Sequence, residues 1–445
     1  MFMKRHGKWI FLVVISLLIT GTYYPEIGKA NENSSGIRNI IFLIGDGMGV
    51  SFTSGYRYLK DDPATIELES TEFGPYLVGQ QTTFPNDPSY NITDSAAAAT
   101  AMATGVKTYN GAIGIGSDHA KLKSVLETAK EKGKGTGIVV TAPITHGTPA
   151  AFGAHVFNRN SMDAIADEYY QDLINGKHKI DVMLGGGSDF FIRKDRNLVR
   201  EFVKDGFSYV TNLEEMEKDH NPQVLGLFAP KGLPKMIDRS KSIPSLADMT
   251  TSAIERLNQN KNGFFLMIEG SQIDWAAHDN DIVGAMSEIE DFEKAFKAAI
   301  EFAKKDAHTL VIATADHSTG GLSIGAQDQY NWLSSVIKAV KRTPNYMAAE
   351  IAEGASVKET LTKYIDLPLT KNEIKSVERA ARTMNVSTID SAIKEIINLR
   401  SLTGWTTKGH TGEDVNVYAY GPGSERFAGQ IDNTDHAKII FDILK

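Results

Sequence analysis

The sequence predicts an α/β fold in which a mostly parallel central sheet is flanked by helices. Short apolar runs rich in β-branched residues recur along the chain, separated by amphipathic stretches. Strands that alternate with helical patterns in this way are typical of βαβ units. The runs that predict strands are residues 39–44, 137–141, 180–184, 264–268, 310–314 and 415–420.

The segment between the last two runs, residues 325–402, has charged helical faces and no strand pattern. It predicts a mostly helical insertion late in the chain. No internal repeat or proline-rich linker marks a second unit, so we expect residues 31–445 to form a single domain.

Residues 1–30 predict a signal peptide. The basic residues Lys4, Arg5 and Lys8 precede an apolar run, and small residues follow it at Gly28 and Ala30. The apolar run is too short for a comfortable membrane span. We therefore expect an exported protein, extracellular, at the cell surface or periplasmic, with no stable membrane span after the signal is removed.

Charge and cysteine content narrow the function classes. The net charge is −8 at pH 7, and removal of the basic leader makes the chain more acidic, which disfavours nucleic-acid binding. The sequence has no cysteine, so after export the fold depends on its core or on bound metal rather than on disulfides.

Acidic residues follow two of the predicted strands. One run leads into a Gly-Asp-Gly sequence centred on Asp46, and another leads into Glu269. Ligands of parallel sheets bind beyond the carboxyl ends of the strands, which makes Asp46 a candidate metal ligand. The alternative for Asp46 is a role in a turn or a helix cap.

Three later segments add carboxylates and histidines. Asp274 and His278 are four residues apart, on one face of any helix that forms there, and can chelate one zinc ion. Asp316 and His317 follow another predicted strand, and His410 lies in a glycine-flanked turn. The alternatives are a solvated helix face, an ordinary turn and a loop histidine without function.

Ser95 follows Asp94 at the start of an alanine-rich helical sequence that ends at Gly105. Free N–H groups and the helix dipole at such a position favour an anion such as phosphate, which would place the Ser95 hydroxyl for attack on phosphorus. The sequence nearby offers no histidine or lysine as a base, so activation would come from a metal. The alternative is that Ser95 only caps the helix.

His146 and Thr148 follow the second predicted strand and could serve a hard cation, directly or through water. Ordinary turn chemistry explains the same residues equally well. Arg159, which follows these residues in the sequence, could donate two hydrogen bonds to phosphate oxygens, or it could lie on the surface. The carboxylates and histidines together suffice for two zinc ions and a third, harder ion, a positive site that suits a dianionic phosphate monoester.

Five segments resemble the alkaline phosphatase family in sequence and in order. They are Asp-Gly-Met-Gly, Thr-Asp-Ser-Ala-Ala-Ala-Ala-Thr, Glu-Gly-x-x-x-Asp-x-x-x-His, Thr-Ala-Asp-His and His-Thr-Gly. The resemblance spans most of the mature chain. It implies an alkaline-phosphatase-like catalytic domain that hydrolyses small phosphate monoesters, and it suggests a homodimer.

The resemblance also implies a role for each matching residue. Two Zn²⁺ ions and one Mg²⁺ ion would be bound, the first zinc by Asp274, His278 and His410, the second by Asp46, Asp316 and His317, and the magnesium by Asp46, Thr148 and Glu269. Ser95 would be the nucleophile, Arg159 would bind phosphoryl oxygens, and Asp94 would orient Arg159. The implied mechanism is two in-line displacements through a phosphoserine.

Two positions near the third metal and the phosphate depart from a common family pattern. His146 stands where that pattern has aspartate, and Trp275 where it has lysine, although other members carry histidine and tryptophan. Histidine is a softer ligand and could admit zinc or cobalt, or bind magnesium more weakly. Tryptophan lacks the charge that helps lysine hold phosphate, so we expect weaker product retention and a changed pH profile.

Two other readings compete. A phosphodiesterase, or another phosphoryl or sulfuryl transferase, could use the same metal core, although Ser95 and Arg159 favour monoesters. A non-catalytic exported binder of metal or phosphate is the second alternative; it predicts that Ser95→Ala leaves function intact.

Overall fold

The computed structural model describes residues 36–62 and 64–445, which form sixteen strands and seventeen α-helices. The strands are β1 (Asn39–Gly45), β2 (Leu77–Thr82), β3 (Gly135–Pro143), β4 (Leu173–Ile174), β5 (Lys177–His178), β6 (Val182–Gly186), β7 (Ser208–Val210), β8 (Val224–Leu227), β9 (Phe264–Gly270), β10 (Thr309–Ala315), β11 (Ser318–Thr319), β12 (Leu322–Ile324), β13 (Thr403–Trp405), β14 (His410–Thr411), β15 (Val415–Tyr420) and β16 (Gly429–Asp432).

The helices connect these strands and cover the sheet. They are α1 (Val50–Lys60), α2 (Ser95–Thr104), α3 (Val125–Glu131), α4 (Gly147–Gly153), α5 (Met162–Gln171), α6 (Ser188–Phe191), α7 (Leu198–Lys204), α8 (Leu213–Lys218), α9 (Leu246–Leu257), α10 (Gln272–His278), α11 (Ile282–Lys305), α12 (Ser334–Lys338), α13 (Pro344–Ala352), α14 (Val357–Tyr364), α15 (Lys371–Ala381), α16 (Val386–Ser401) and α17 (Thr434–Ile443).

Ten strands form the central sheet, in the order β16-β2-β15-β10-β1-β9-β3-β6-β8-β7. The seven strands from β10 to β7 are parallel, and β15 pairs antiparallel with both of its neighbours. Each apolar run that predicted a strand overlaps a strand of this sheet. The predicted α/β fold with a mostly parallel sheet is therefore confirmed.

The predicted runs are almost uniformly apolar because the middle strands are buried on both faces. All seven residues of β1 are buried. Successive side chains of β1 point to opposite sides, so Ile41 and Leu43 join the core on one face while Ile40 and Phe42 join the core on the other. The carboxyl ends of β1, β9 and β10 are thereby held side by side.

Helices cover both faces of this sheet. On one face α9 and α11 pack against each other, and on the other α2 packs between α4 and α17. The first residue of α2 and the loop before α4 therefore reach the same edge of the sheet as the ends of the central strands.

Five helices, α12 to α16, lie between the paired strands β12 and β13. Helix α16 packs against α12, α13 and α15. The predicted signal peptide, residues 1–30, lies outside the described residues. Within residues 36–62 and 64–445, no helix combines the length and apolar character needed to cross a bilayer.

Candidate metal and phosphate site

Three buried carboxylates meet at the carboxyl edge of the sheet. Strand β1 lies between β9 and β10, and its register pairs Ile44 with Glu269 and Gly45 with Ala315. Asp46 and Asp316 each follow their strand by one residue, so both carboxylates emerge beside Glu269. All three are completely buried.

Ser95 lies against this carboxylate edge at the first position of α2. Its Oγ is 3.1 Å from His317 Nε2 and 3.5 Å from Asp46 Oδ1. Asp46, Asp316 and His317 each offer a ligand atom, and these three atoms lie within 4.8 Å of one another. The serine hydroxyl therefore lies beside a set of atoms that suits a divalent ion.

The Asp94 carboxylate accepts two hydrogen bonds at the start of α2. Its Oδ1 accepts a hydrogen bond from Ala97 N at 2.9 Å, which caps the helix. Its Oδ2 accepts a hydrogen bond from Arg159 Nη1 at 2.9 Å. One carboxylate thus fixes both the helix that begins with Ser95 and the guanidinium beside it.

A second ligand set lies on α10 and β14. His278 Nε2 is 3.2 Å from Asp274 Oδ2 and 3.2 Å from His410 Nε2. The other ring nitrogens contact backbone carbonyls, His278 Nδ1 that of Lys408 and His410 Nδ1 that of Thr93. In a neutral ring, donation from Nδ1 leaves the lone pair on Nε2, so a cation bound between the two rings would replace the proton that His278 Nε2 otherwise shares with Asp274.

His317 belongs to both sets. Its ligand atom also groups with those of Asp274 and His410 within 4.8 Å, and its ring stacks on His410 with centroids 3.6 Å apart. The two predicted zinc sites therefore adjoin each other across this pair of imidazoles.

A third set contains Asp46, His146 and Glu269, again with ligand atoms within 4.8 Å. Both oxygens of Glu269 and the Oγ1 of Thr148 are buried without a hydrogen-bond partner among the described residues. Buried polar atoms without partners are costly. Their presence at this point fits a bound cation, and the geometry keeps His146 among the candidate ligands.

The buried carboxylates resist ionisation in the absence of a cation. Burial raises the pKa of Asp46 well above its ordinary value, and the charges of Asp316, Asp274 and Glu269 raise it further. Burial likewise raises the pKa of Glu269 to about 7 and that of Asp316 to about 7. A divalent ion would remove this conflict, since an adjacent positive charge favours the ionised carboxylate. The oxygen and imidazole donors match zinc and magnesium.

The pKa of Asp274 shifts in the opposite direction, because this carboxylate lies next to histidines. Burial raises its pKa, but the hydrogen bond from His278 and the charges of the histidines outweigh burial and hold the pKa well below the ordinary value. In turn, the hydrogen bond to Asp274 raises the pKa of His278 to about 9.

Arg159 borders the third set on its solvent side. Its Nη2 is 3.2 Å from His146 Nε2. Burial, and then the charge of Arg159, lowers the pKa of His146 to about 3, so this imidazole is neutral. The rings of His146 and Trp275 meet edge to face with centroids 5.7 Å apart. A Cβ at Gly147 would lie 3.0 Å from Arg159 Cζ, so a side chain at this position would require the guanidinium to shift.

The structure brings every residue predicted for the site to this one edge. Sequence reasoning missed Thr319, whose Oγ1 donates to Asp274 Oδ1 at 2.6 Å and lies 3.2 Å from His317 Nδ1. Thr319 therefore connects the two ligand sets. It stands two residues after His317 in an extended segment, where alternate side chains share a face, and that spacing was its only signal.

Comparisons with known proteins identify the family of this chain. The family model for alkaline phosphatase matches residues 37–445. Alkaline phosphatase 3 of Bacillus subtilis (strain 168) is 64% identical over 97% of this chain and 95% of its own length. The crystal structure of a cold-active alkaline phosphatase from the psychrophile Shewanella sp. is 39% identical, with a TM-score of 0.87 over 92% of this chain and 100% of that chain.

A third relative concerns the metal site. It is a variant of the alkaline phosphatase of the Antarctic bacterium TAB5, with a histidine replaced by glutamate and magnesium bound in the M3 site. It is 29% identical, with a TM-score of 0.67 over 92% of this chain and 98% of that chain.

The fold and the converging ligand sets define a hydrolase with divalent-metal sites at the edge of a parallel sheet. The chain belongs to the alkaline phosphatase family, whose members hydrolyse phosphate monoesters and depend on divalent metals.

Replacing Thr319 with valine should weaken zinc binding by about 10- to 100-fold, because residues that orient metal ligands contribute that much to affinity. Competition with a chromogenic chelator measures the dissociation constant. Thr250→Val is the matched control, since Thr250 is equally buried and its hydroxyl has no partner among the described residues. Equal zinc affinities for the Thr319→Val variant and the unaltered chain would contradict the role of Thr319.

Proposed function

We propose that this enzyme hydrolyses phosphate monoesters through a phosphoserine on Ser95, at a site that holds two zinc ions and one magnesium ion. The strongest support is the position of Ser95 Oγ, which is within hydrogen-bond distance of His317 Nε2 and 3.5 Å from Asp46 Oδ1. The proposed nucleophile thus adjoins a ligand set and the guanidinium of Arg159.

The proposed ligands are those that the family resemblance implies, and they overlap the three sets of converging atoms. One zinc is assigned to Asp274, His278 and His410, the other to Asp46, Asp316 and His317, and the magnesium to Asp46, Thr148 and Glu269. Asp46 would belong to the ligands of both of the last two sites, as it belongs to two of the converging sets. The unpartnered oxygens of Asp46, Asp316 and Glu269 support this assignment because each would otherwise stay buried without a partner.

In the proposed first step, the bond from Ser95 Oγ to phosphorus forms while the bond from phosphorus to the ester oxygen breaks on the opposite side, near His278 and His410. The proton lost by the Ser95 hydroxyl converts the departing alkoxide into the alcohol. Arg159 donates hydrogen bonds to the phosphoryl oxygens while its Nη1 remains on Asp94 Oδ2. Asp94 thereby limits the directions in which the guanidinium can point.

In the second step, water enters from the side that the alcohol left and attacks the phosphoserine, which restores Ser95 and releases inorganic phosphate. When bound, the divalent ions supply Lewis acidity that lowers the pKa of the serine hydroxyl and of water and stabilises the departing alkoxide. Arg159 holds the phosphoryl group through both displacements.

His146 and Trp275 are proposed to tune this reaction. His146 offers a ligand atom to the set of Asp46 and Glu269. In the TAB5 variant a glutamate in place of a histidine accompanies magnesium in the M3 site. We assign His146 a comparable influence, so that the third site accepts zinc or cobalt more readily than an all-oxygen site or binds magnesium weakly.

We also propose that residues 31–445 form one catalytic domain with a helical insertion at 325–402, exported after cleavage of residues 1–30 and assembled as a homodimer. Export rests on the basic and apolar pattern of the leader, and the dimer rests on the family. N-terminal sequencing of protein recovered outside the cell and sedimentation equilibrium test these points; an intact leader or a monomer would refute them.

Trp275→Lys should lower the inhibition constant of phosphate by about tenfold, because an ammonium group beside the phosphate adds a charged hydrogen bond. Steady-state inhibition by inorganic phosphate provides the measurement. Trp275→Phe controls for loss of the indole without adding charge. If the lysine and phenylalanine variants have the same inhibition constant, Trp275 does not set product retention.

Removal of bound metal should abolish hydrolysis of a nitrophenyl phosphate monoester, and zinc with magnesium should restore it. The purified enzyme is analysed for metal and assayed before chelation, after it and after readdition. A methyl nitrophenyl diester is assayed in parallel. Activity that survives complete removal of metal overturns the proposal, and faster hydrolysis of the diester favours a phosphodiesterase instead.

A further inference from the structure

Arg159 is held by a short segment, residues 154–159, which we name the arginine strap. The strap runs from the end of α4 and pairs with residues 111–114. Ile113 and Val156 exchange backbone hydrogen bonds, each 3.0 Å long, and Arg159 N donates to Gly111 O at 2.9 Å. The position of the guanidinium therefore depends on how firmly this pairing is maintained.

Pairing of this kind is weak on its own because it comprises a single antiparallel bridge. The strap also leaves two large groups in contact with solvent, since Phe157 is 63% exposed and Arg159 is only partly buried. The strap therefore depends on side-chain contacts in addition to its backbone hydrogen bonds.

His155 supplies that anchor. Its side chain is only 7% exposed, and its two ring nitrogens both have partners. Nδ1 is 2.7 Å from Gly114 O, which belongs to the paired segment, and Nε2 is 2.9 Å from Glu127 Oε1 on α3. The backbone N of His155 also donates to Glu168 Oε2 at 2.6 Å. One side chain thus ties the strap to its pairing partner and to a helix.

Glu127 is itself fixed. Its Oε2 accepts from Ser124 N at 3.0 Å in the capping box of α3, and the buried Lys179 lies 3.6 Å from Oε1. Burial raises the pKa of Glu127, but His155 and the other partners outweigh burial and lower it to about 2. Burial lowers the pKa of His155, and Glu127 more than reverses this. The contact is therefore a charge-assisted hydrogen bond near neutral pH.

The strap and residues 111–114 leave little free space between them. Gly114 has φ of +58°, and a Cβ there would lie 2.2 Å from Ala154 O and 2.8 Å from His155 Nδ1. The two segments thus approach each other as closely as a glycine allows, with the His155 ring filling the remaining space.

We propose that His155 and Glu127 are positioning residues for Arg159: their contact holds the strap on residues 111–114 and so sets how strongly Arg159 binds the phosphoryl group. The inference rests on the proposed function, in which Arg159 contacts phosphate. Neither residue reaches the reacting atoms, and both act only through the strap.

His155→Phe tests this, because phenylalanine fills the space of the ring but makes neither hydrogen bond. Glu127 keeps Ser124 and Lys179 as partners, which limits the disturbance at α3. KM for a nitrophenyl monoester and the inhibition constant of phosphate should each rise about tenfold. The turnover number should change much less, because the weakened contact of Arg159 with the phosphoryl group binds substrate and transition state alike.

His155→Asn is the second variant. Asparagine retains a donor for Gly114 O but loses Glu127, so it should fold and shift KM and the phosphate constant in the same direction by a smaller factor. The control is His178→Phe, since His178 is a similarly buried histidine whose ring, among the described residues, has a hydrogen-bond partner only in Asp205, at 3.0 Å. Its kinetic constants should equal those of the unaltered enzyme.

The decisive comparison places His155→Phe in an Arg159→Ala background. If His155 acts through Arg159, the His155→Phe substitution should then change KM and the phosphate inhibition constant by less than about twofold. If the two residues act independently, the effects of the two substitutions should multiply. A full tenfold effect in that background overturns the proposal, as does an effect in the unaltered background no larger than that of His178→Phe.

Arg159→Ala alone separates this inference from the proposed function. If it leaves KM and the phosphate constant unchanged, Arg159 does not bind phosphate and the proposed function itself is at fault. If it raises both while neither His155 variant does, only the role of the strap is refuted.

Discussion

Four carboxylates, Asp46, Glu269, Asp274 and Asp316, lie buried within one small volume at the edge of the sheet. The loss of solvent on burial, and then the charges of neighbouring carboxylates, raise the pKa of Asp46, Glu269 and Asp316. A chain with this arrangement is under electrostatic conflict until cations enter. The requirement for divalent ions follows from this constraint, and the other features of the site fit around it.

The second constraint is on the orientation of the functional side chains. Asp94 caps α2 with one oxygen and holds Arg159 with the other, so the start of the helix and the guanidinium share one support. Backbone carbonyls of Thr93 and Lys408 orient His410 and His278 in the same way. A site of this kind is preorganised because each functional group is held by a neighbour that does no chemistry itself.

Much of this could be predicted from the sequence, because the strands are continuous apolar runs and the functional residues follow them directly. Asp46, Glu269 and Asp316 share an edge as soon as their strands are parallel neighbours. Their roles as ligands stay predictions, drawn from the family resemblance. His146 was predicted to serve a cation directly or through water, and in the structure its ligand atom lies close to those of Asp46 and Glu269.

What the sequence could not reveal depends on contacts between distant segments. Glu127 and His155 are 28 residues apart, and nothing in the pattern around either one indicates the other. Thr319 resembles any threonine in a turn until Asp274 is placed beside it. The order of the strands across the sheet was likewise open, because alternating strands and helices are compatible with several orders.

The central claim is that the phosphoryl group passes through Ser95 and not directly to water. The most direct test is the stereochemistry of transfer from an isotopically chiral phosphate monoester to an acceptor alcohol. Two in-line displacements predict retention of configuration at phosphorus. Inversion would mean a single displacement, and it would contradict the phosphoserine mechanism whatever metals the site contains.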